Sequence, residues 1–195
     1  MKYMIRRLIC LMLVLANLNA VALAEPTLAV RTAVFGAEEA RSATLPSADP
    51  ESVFTLTKKS GWKSRVVAMK WYDGGSSVLR KGEYGALYDI ETGMRLKIKR
   101  MGGSSHADVE PASKSDTAKL KKMGYSWDRR PGILYSDGKF VACSFATQPH
   151  GDQTLSRNGY HGQFCLHMVG SKTHGSDHVD ADHQAAIKKA YHWAH

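Results

Sequence analysis

The sequence predicts a mainly β domain of the α+β class, with a few short helices and a C-terminal helix, and three observations support this. Short segments between positions 53 and 145 alternate apolar and polar residues, which is the period of half-buried strands. Turn residues separate these segments, and the Asp137-Gly138 pair is a strong signal for a hairpin. Residues 179–195 carry an apolar stripe at helical spacing.

Two segments precede this domain, which is expected to cover residues 52–195. Residues 1–24 have the pattern of a secretory signal peptide, with Lys2, Arg6 and Arg7 before a short apolar core and a small-x-small site at Ala22-Leu23-Ala24. Residues 25–51 are rich in Ala, Ser, Thr and Pro and predict a linker. We therefore expect an exported protein of the periplasm, cell wall or extracellular space, with no membrane span after signal cleavage; an uncleaved anchor is the alternative.

The chain is basic, with 27 Lys and Arg against 18 Asp and Glu. Residues 1–24 hold three of the basic residues and no acidic one, so the remainder keeps a net charge of +6. That excess suits an anionic partner such as a wall polymer or a membrane surface, or serves solubility alone. The basic residues are scattered and export is expected, so nucleic acid is not a predicted partner. The oligomeric state is left open.

The first half of the domain is expected to consist of short strands. Residues 53–57 and 66–71 are two candidates, and a turn at residues 73–76 ends the second. Residues 84–90 and 94–100 predict a hairpin about residues 91–93. In its second arm apolar residues alternate with basic ones, which predicts one buried face and one solvated face.

The next segment carries His106, Asp108 and Glu110, which share one side if the chain is extended. They could bind a metal, orient a second histidine, or form a polar edge beside a turn. Ser115 is then the predicted N-cap of a helix over residues 116–123, which Gly124 ends.

A loop with Arg129 and Arg130 follows that helix. Two adjacent arginines can grip a carboxylate bidentately, or they can form an ion-pair corner. Residues 133–135 and 140–145 then predict a second hairpin, and Asp180 is expected to cap the last helix.

Residues 149–175 carry most of the chemistry, with one Cys, four His and five Gly. His150-Gly151 is followed fifteen residues later by Cys165, which lies in an apolar run that predicts a strand. A thiol attacks as the thiolate, so it needs an imidazole or a cation nearby. The alternatives are a buried structural cysteine and a Cys143–Cys165 disulfide in an oxidising compartment.

The His-Gly pair, the spacer and the Cys followed by an aliphatic and a basic residue resemble the signature of bacterial L,D-transpeptidases. His150-Gly151 matches its first part, and residues 162–167 stand where its second part belongs. Gln163, Phe164 and His167 replace the family's His, Gly and Arg. The chain is also similar to a set of exported bacterial domains, through residues 106–111, 126–131, 149–151, 163–167 and 171–175.

This resemblance implies an L,D-transpeptidase-like β domain that acts as a cysteine acyl-transferase on peptidoglycan stem peptides, without a cofactor or a metal in its site. Cys165 is then the nucleophile and His150 the base, while His167 orients the site or polarises the carbonyl. Backbone N–H groups at residues 162–165 would hold the oxyanion. The resemblance makes the following residues candidates for substrate contact: Gly151, Gly162, Gln163, Arg129, Arg130, His106 and Asp108.

Two other functions remain open at this point. The first is a zinc peptidase or amidase, because eight of the nine histidines lie in residues 150–195, although no HExxH pair is present. Its candidate ligands are His174, Asp177, His178, Asp182 and His183. The second is a non-catalytic wall-binding module, which would have a Cys143–Cys165 disulfide, a basic groove and no turnover.

Overall fold

Six strands close into an antiparallel barrel in the computed structural model of the chain, which describes residues 49–56 and 61–195. The described strands are β1 Val66–Val67, β2 Tyr84–Asp89, β3 Arg95–Gly102, β4 Ala107–Pro111, β5 Arg130–Ser136, β6 Lys139–Phe145 and β7 Phe164–His167. Their order is β6-β5-β2-β3-β4-β7, and β7 pairs with β6 to complete the ring. The predicted mainly β class is confirmed.

Strand β6 is the point where the barrel closes. One of its edges pairs with β5 along its whole length. The other edge is shared: Phe140 and Val141 pair with the short parallel strand β1, while Ser144 and Phe145 pair with β7.

The helices are α1 Pro50–Leu56, α2 Ser76–Val78, α3 Lys114–Met123 and α4 Ala181–Ala194. The helix predicted over residues 116–123 is confirmed, but it begins at Lys114 and its cap is Ser113 and not Ser115. The Ser113 hydroxyl accepts the backbone N–H of Asp116 at 3.1 Å. The Asp116 carboxylate in turn accepts the N–H of Lys97, which fixes this first turn against β3. No helix in the described ranges is long and apolar enough to cross a bilayer.

Helix α1 corrects two predictions. Residues 53–57 were expected to form a strand, and the linker was expected to reach residue 51. Instead a helix begins at Pro50, and Asp49 accepts the N–H of Ser52 at 3.0 Å in its first turn. Phe54 lies edge-on to Trp62 at 5.1 Å and is buried between the helix and the barrel. The predicted signal peptide and the rest of the linker lie outside the described residues.

The strand predicted at residues 66–71 is shorter than expected. β1 ends at Val67, and Lys70 forms a single bridge to Val169. The indole of Trp71 donates to the Ser104 carbonyl at 2.7 Å, and the irregular turn Trp71–Gly75 follows.

Both predicted hairpins are confirmed, as β2–β3 and β5–β6. Leu96 and Ile98 are completely buried, so the alternation in β3 marks its inward face. The C-terminal helix is confirmed too, and Asp180 caps it by accepting the N–H of His183 at 2.8 Å.

Alternate residues of the strands form two apolar layers. The barrel interior is filled from every strand of the ring, for example by Leu87, Ile98 and Phe145. A second cluster covers the outside of β2, β5 and β6 under α1 and α4, around Phe54 and Ile187. Burial of one such side chain contributes about 1.5–3 kcal/mol.

The two cysteines of the barrel lie on opposite faces. Cys143 belongs to the interior cluster together with Phe164 and Leu166. Cys165 stands between those two residues on β7, so its side chain points outwards. Both thiols are free, and the disulfide expected for the wall-binding alternative is not formed.

Candidate active site

A cavity of about 220 Å³ lies on the outer face of β7, against the start of α4. Five of the predicted catalytic and substrate-contact residues line it: His106, Arg129, His150, Cys165 and His167. They come from four separate segments of the chain, since Cys165 and His167 lie on the same strand, and the fold brings half of the predicted site residues to this cavity.

Strand β7 places Cys165 and His167 side by side on this wall. Their neighbours Phe164 and Leu166 are completely buried in the barrel. Because side chains alternate along a strand, Cys165 and His167 point outwards. On the adjacent strand β4, Asp108 stands opposite Cys165.

The Cys165 thiol is nearly enclosed, with 7% of the residue exposed. Burial raises its pKa to about 11, although the N–H of Ala146 and the charge of Arg129 oppose the rise. At neutral pH the resting group is therefore the thiol, and a base must remove its proton before it can attack.

His150 reaches the cavity through one antiparallel bridge to Gln163. The His150 N–H donates to the Gln163 carbonyl at 2.9 Å, and the Gln163 N–H donates back at 2.7 Å. Cys165 is two residues beyond Gln163, so it is the diagonal neighbour of His150. The bridge thus places His150 and Cys165 on one wall of the same cavity, which spacing alone left open.

The His150 ring is fixed in one tautomer. Its Nδ1 lies 3.0 Å from the Gln148 carbonyl, which can only accept, so Nδ1 carries the proton and Nε2 is the basic nitrogen. Trp127 packs against the ring with centroids 5.0 Å apart.

The bridge requires glycine at position 162. Gly162 has a φ of +120°, and a Cβ there would lie 2.8 Å from the His150 carbonyl oxygen. Since the Gln163 N–H is used by this bridge, it cannot serve as the oxyanion donor expected from residues 162–165. The cavity lining does not include three other predicted residues, which lie next to it in the chain: Gly151 follows His150, and Gly162 and Gln163 belong to the bridge.

Three imidazole rings form a stack along the cavity. The His167 ring lies 4.4 Å from that of His106 and 3.7 Å from that of His183, and both pairs are nearly parallel. Burial lowers the pKa of His167 to about 2 and that of His183 to about 3, so both rings are neutral. Nδ1 of His167 is buried without a hydrogen-bond partner.

The two adjacent arginines have different surroundings, and Arg130 is the first residue of β5 and not part of the predicted loop. Arg129 lines the cavity, and its Nη2 lies 3.0 Å from Asp180 Oδ2. Arg130 points elsewhere and pairs with Asp89 at 2.6 Å and Glu91 at 3.3 Å. Only Arg129 is therefore placed to contact a molecule in this cavity.

Glu110 is separated from the cavity by its own contacts. Its carboxylate accepts the backbone N–H of Thr154 at 2.6 Å and that of Leu155 at 3.0 Å, and it also accepts Asn158 Nδ2 at 3.0 Å. The side chain thus holds the loop that joins His150 to Cys165, a role that sequence reasoning missed.

Five further residues complete the lining: Trp127, Thr173, His174, Gly175 and His183. The Thr-His-Gly motif at residues 173–175 was visible in the sequence, and only its place at the cavity was unknown. His174 and His183 were candidate ligands for the zinc alternative alone, and the signal of His183 was the weaker, since a histidine in the first turn of a helix is ordinary.

Two groups within the described ranges have donor atoms close enough to hold a metal ion. One is Cys165, His167 and His183, and the other is His106, Asp108 and His174; within each group the donor atoms lie within 4.8 Å of one another. Of the ligands proposed for a zinc enzyme, His174 and His183 thus belong to different groups. Asp177 instead pairs with Lys172 at 3.1 Å.

A larger groove of about 580 Å³ adjoins the cavity and shares Trp127 and Arg129 with it. It carries both signs of charge, with Glu91, Asp182 and Lys189 among its lining residues. A molecule in this groove would meet the cavity at the Arg129 guanidinium.

The fold and the site together define a closed β-barrel with a buried thiol and a histidine cluster on its outer wall. No family model, curated protein or solved structure matches the chain.

Proposed function

We propose that the protein is an exported cysteine acyl-transferase that acts on peptidoglycan stem peptides, as an L,D-transpeptidase or an L,D-carboxypeptidase. The observation that carries this proposal is the His150–Gln163 bridge, which makes a base of defined tautomer the diagonal neighbour of Cys165 on one cavity wall. The substrate class comes from the resemblance to L,D-transpeptidases.

The proposed chemistry begins with proton transfer from the Cys165 thiol to Nε2 of His150. The sulfur then forms a bond to the carbonyl carbon of a peptide amide, the C–N bond breaks, and the amine leaves with the proton from His150. An amine or a water molecule then attacks the thioester carbonyl and gives its proton to His150; the C–S bond breaks, His150 returns the proton to the thiolate, and the product is a cross-link or a carboxylate.

Arg129 and the adjoining groove support a peptide substrate. The Arg129 guanidinium lies where cavity and groove meet, and Asp180 orients it at 3.0 Å. It is placed to bind a carboxylate of the stem peptide. The acidic and basic side chains of the groove suit a peptide that carries both amines and carboxylates.

The test is the intact mass of the purified protein after treatment with a carbapenem, an acylating agent that L,D-transpeptidases generally accept. We expect an adduct in the wild type and in Cys143→Ala, and none in Cys165→Ala. His150→Gln should slow adduct formation by roughly 100-fold or more, the effect of a general base, whereas His161→Gln should leave it unchanged. An unmodified wild type with free thiols would refute the proposal.

Zinc-dependent hydrolysis is the second candidate, and the donor set of Cys165, His167 and His183 favours it. In that case Cys165 would be a ligand and not a nucleophile. The purified protein would then contain zinc that is lost in Cys165→Ala and in His183→Gln, and the carbapenem would form no thioester.

A further inference from the structure

Asp108 brings two histidines together at one carboxylate oxygen. Its Oδ1 lies 3.2 Å from Nε2 of His106 and 2.9 Å from Nε2 of His174. Two ligands of a tetrahedral Zn²⁺ with bonds of about 2.0–2.1 Å lie about 3.3 Å apart. Both distances from Asp108 are therefore close to the spacing that one metal ion would impose, and all three donor atoms lie within 4.8 Å of one another.

The His106 ring is oriented as metal-binding imidazoles usually are. Its Nδ1 donates to the Lys172 carbonyl at 2.6 Å, which turns Nε2 towards Asp108. This Nε2 is buried and has no hydrogen-bond partner, and His106 is only 1% exposed. A lone pair that faces a carboxylate oxygen at 3.2 Å is repelled by it unless a proton or a cation lies between them.

The backbone holds the segments that carry these residues in place. The Lys172 N–H donates to the Ser105 carbonyl at 3.0 Å, next to the bond that fixes the His106 ring. Gly103, with a φ of +84°, makes the tight turn before His106, and a Cβ there would lie 2.0 Å from the His106 carbonyl oxygen. Two of the three donors are thus set by the barrel and its preceding turn.

We propose that His106, Asp108 and His174 bind one first-row divalent cation, Zn²⁺ above all, on the wall of the cavity. His106 and Asp108 form the rigid half of this site, and His174, whose side chain is 59% exposed, closes it from the 173–178 loop. Two nitrogens and one carboxylate oxygen are a donor set that zinc and its neighbours accept, with a fourth position open to the cavity.

This site is separate from the Cys165, His167 and His183 group and does not depend on the acyl-transfer proposal. The two groups share no residue. Variants of Cys165 therefore test the nucleophile, and variants of His174 test the cation site.

The experiment uses the full chain, stripped with a chelator and titrated with Zn²⁺ in competition with a chromophoric chelator. We expect one tight equivalent in the wild type. His174→Gln should weaken it by at least about 10-fold, since even the loss of an outer-shell partner costs roughly 10- to 100-fold in affinity. Because His174 is exposed, this variant should keep the wild-type circular dichroism spectrum.

Two controls make the assignment specific. His178→Gln removes another exposed histidine of the same loop and should leave the affinity unchanged, as should Cys165→Ala. With Co²⁺ in place of Zn²⁺, the bound ion should show the d–d bands of nitrogen and oxygen ligands and no sulfur-to-cobalt charge-transfer band.

Three results would overturn the proposal. One is that the stripped wild type takes up no Zn²⁺ at stoichiometric concentrations. Another is that binding is lost in Cys165→Ala, alone or as strongly as in His174→Gln, because the thiol would then be a ligand. The third is equal weakening in His178→Gln, which would indicate nonspecific binding to the loop.

Discussion

Asp180 pairs with Arg129 at 3.0 Å while its other carboxylate oxygen caps the helix that carries His183. One side chain thus positions both Arg129 and the helix that carries His183, and both residues line the same cavity. Burial opposes its ionisation, but the hydrogen bonds from Arg129 and from the His183 N–H outweigh this and hold the pKa of Asp180 at about 2.

Replacement of this carboxylate should separate its two roles. Asp180→Asn keeps a good N-cap but loses the ion pair, so the free energy of unfolding should fall by less than about 1 kcal/mol, while the acylation rate of Cys165 should fall roughly 10-fold or more. Asp180→Ala loses the cap as well and should cost about 1 kcal/mol more. Urea unfolding and adduct formation measure the two effects. A wild-type acylation rate in Asp180→Asn would show that Arg129 needs no partner.

Acid should destabilise the protein through the buried imidazoles. The pKa values of His167 and His183 are about 2 and about 3 in the folded state, and about 6.5 for an unperturbed histidine. Below about pH 6.5 the unfolded chain therefore binds protons that the folded chain does not. The free energy of unfolding should fall by about 1.4 kcal/mol per pH unit for each histidine until the pH nears the folded values.

Urea titrations at several pH values between about 6 and 4, in a chelator, measure this slope. His183→Gln should lower the slope of the free energy of unfolding against pH by the contribution of one histidine, about 1.4 kcal/mol per pH unit. His192→Gln, an exposed histidine of the same helix, is the matched control and should keep the wild-type slope. Parallel slopes for His183→Gln and the wild type would contradict a neutral, buried His183.

The buried carboxylate of Glu110 should matter for the loop that joins His150 to Cys165. In Glu110→Gln the new amide NH2 group would face an N–H group that now donates to the carboxylate, either a backbone N–H of Thr154 or Leu155 or the side-chain amide of Asn158. We expect a loss of about 2–3 kcal/mol in the free energy of unfolding and faster hydrogen exchange over residues 151–159. Asp152→Asn, an exposed acidic residue of that loop, should change neither, and a stable Glu110→Gln with a protected loop would refute the anchoring role.

The bridge between His150 and Gln163 should be sensitive to a single methyl group. Gly162→Ala puts a Cβ 2.8 Å from the His150 carbonyl oxygen at a φ of +120°, which should cost about 1–3 kcal/mol of stability and slow the acylation of Cys165. Thermal unfolding and adduct formation measure both. Gly175→Ala, where a Cβ meets open space, is the control for stability. If Gly162→Ala acylates at the wild-type rate, the bridge does not position the base.

The local parts of the fold could be predicted from the sequence because their signals are local. The β5–β6 hairpin follows from the Asp137-Gly138 turn, and the buried face of β3 follows from its alternation. Helix α1 could not be predicted, because five residues around Phe54 fit either period and the contact with Trp62 decides between them. Ring closure between β7 and β6 is a long-range pairing with no local signal.

The candidate site divides in the same way. Cys165, His150, His167 and Arg129 were predicted together, and the structure places all four at one cavity. His183 reaches the cavity only because α4 packs on β5 and β6, and no sequence motif predicts that packing. The sequence does not distinguish Arg129 from Arg130. In the structure β5 begins at Arg130, whose side chain pairs with Asp89, while Arg129 precedes the strand and lines the cavity.

The shared edge of β6 has a consequence for how this protein meets other chains. A sheet that ends in a free strand offers unpaired backbone groups to any extended peptide. Here β7 and β1 divide the outer edge of β6, and the two-residue strand β1, of which Val67 is exposed, stands at the end of the strand order. We therefore expect a charged residue in place of Val67 to disfavour strand addition at β1.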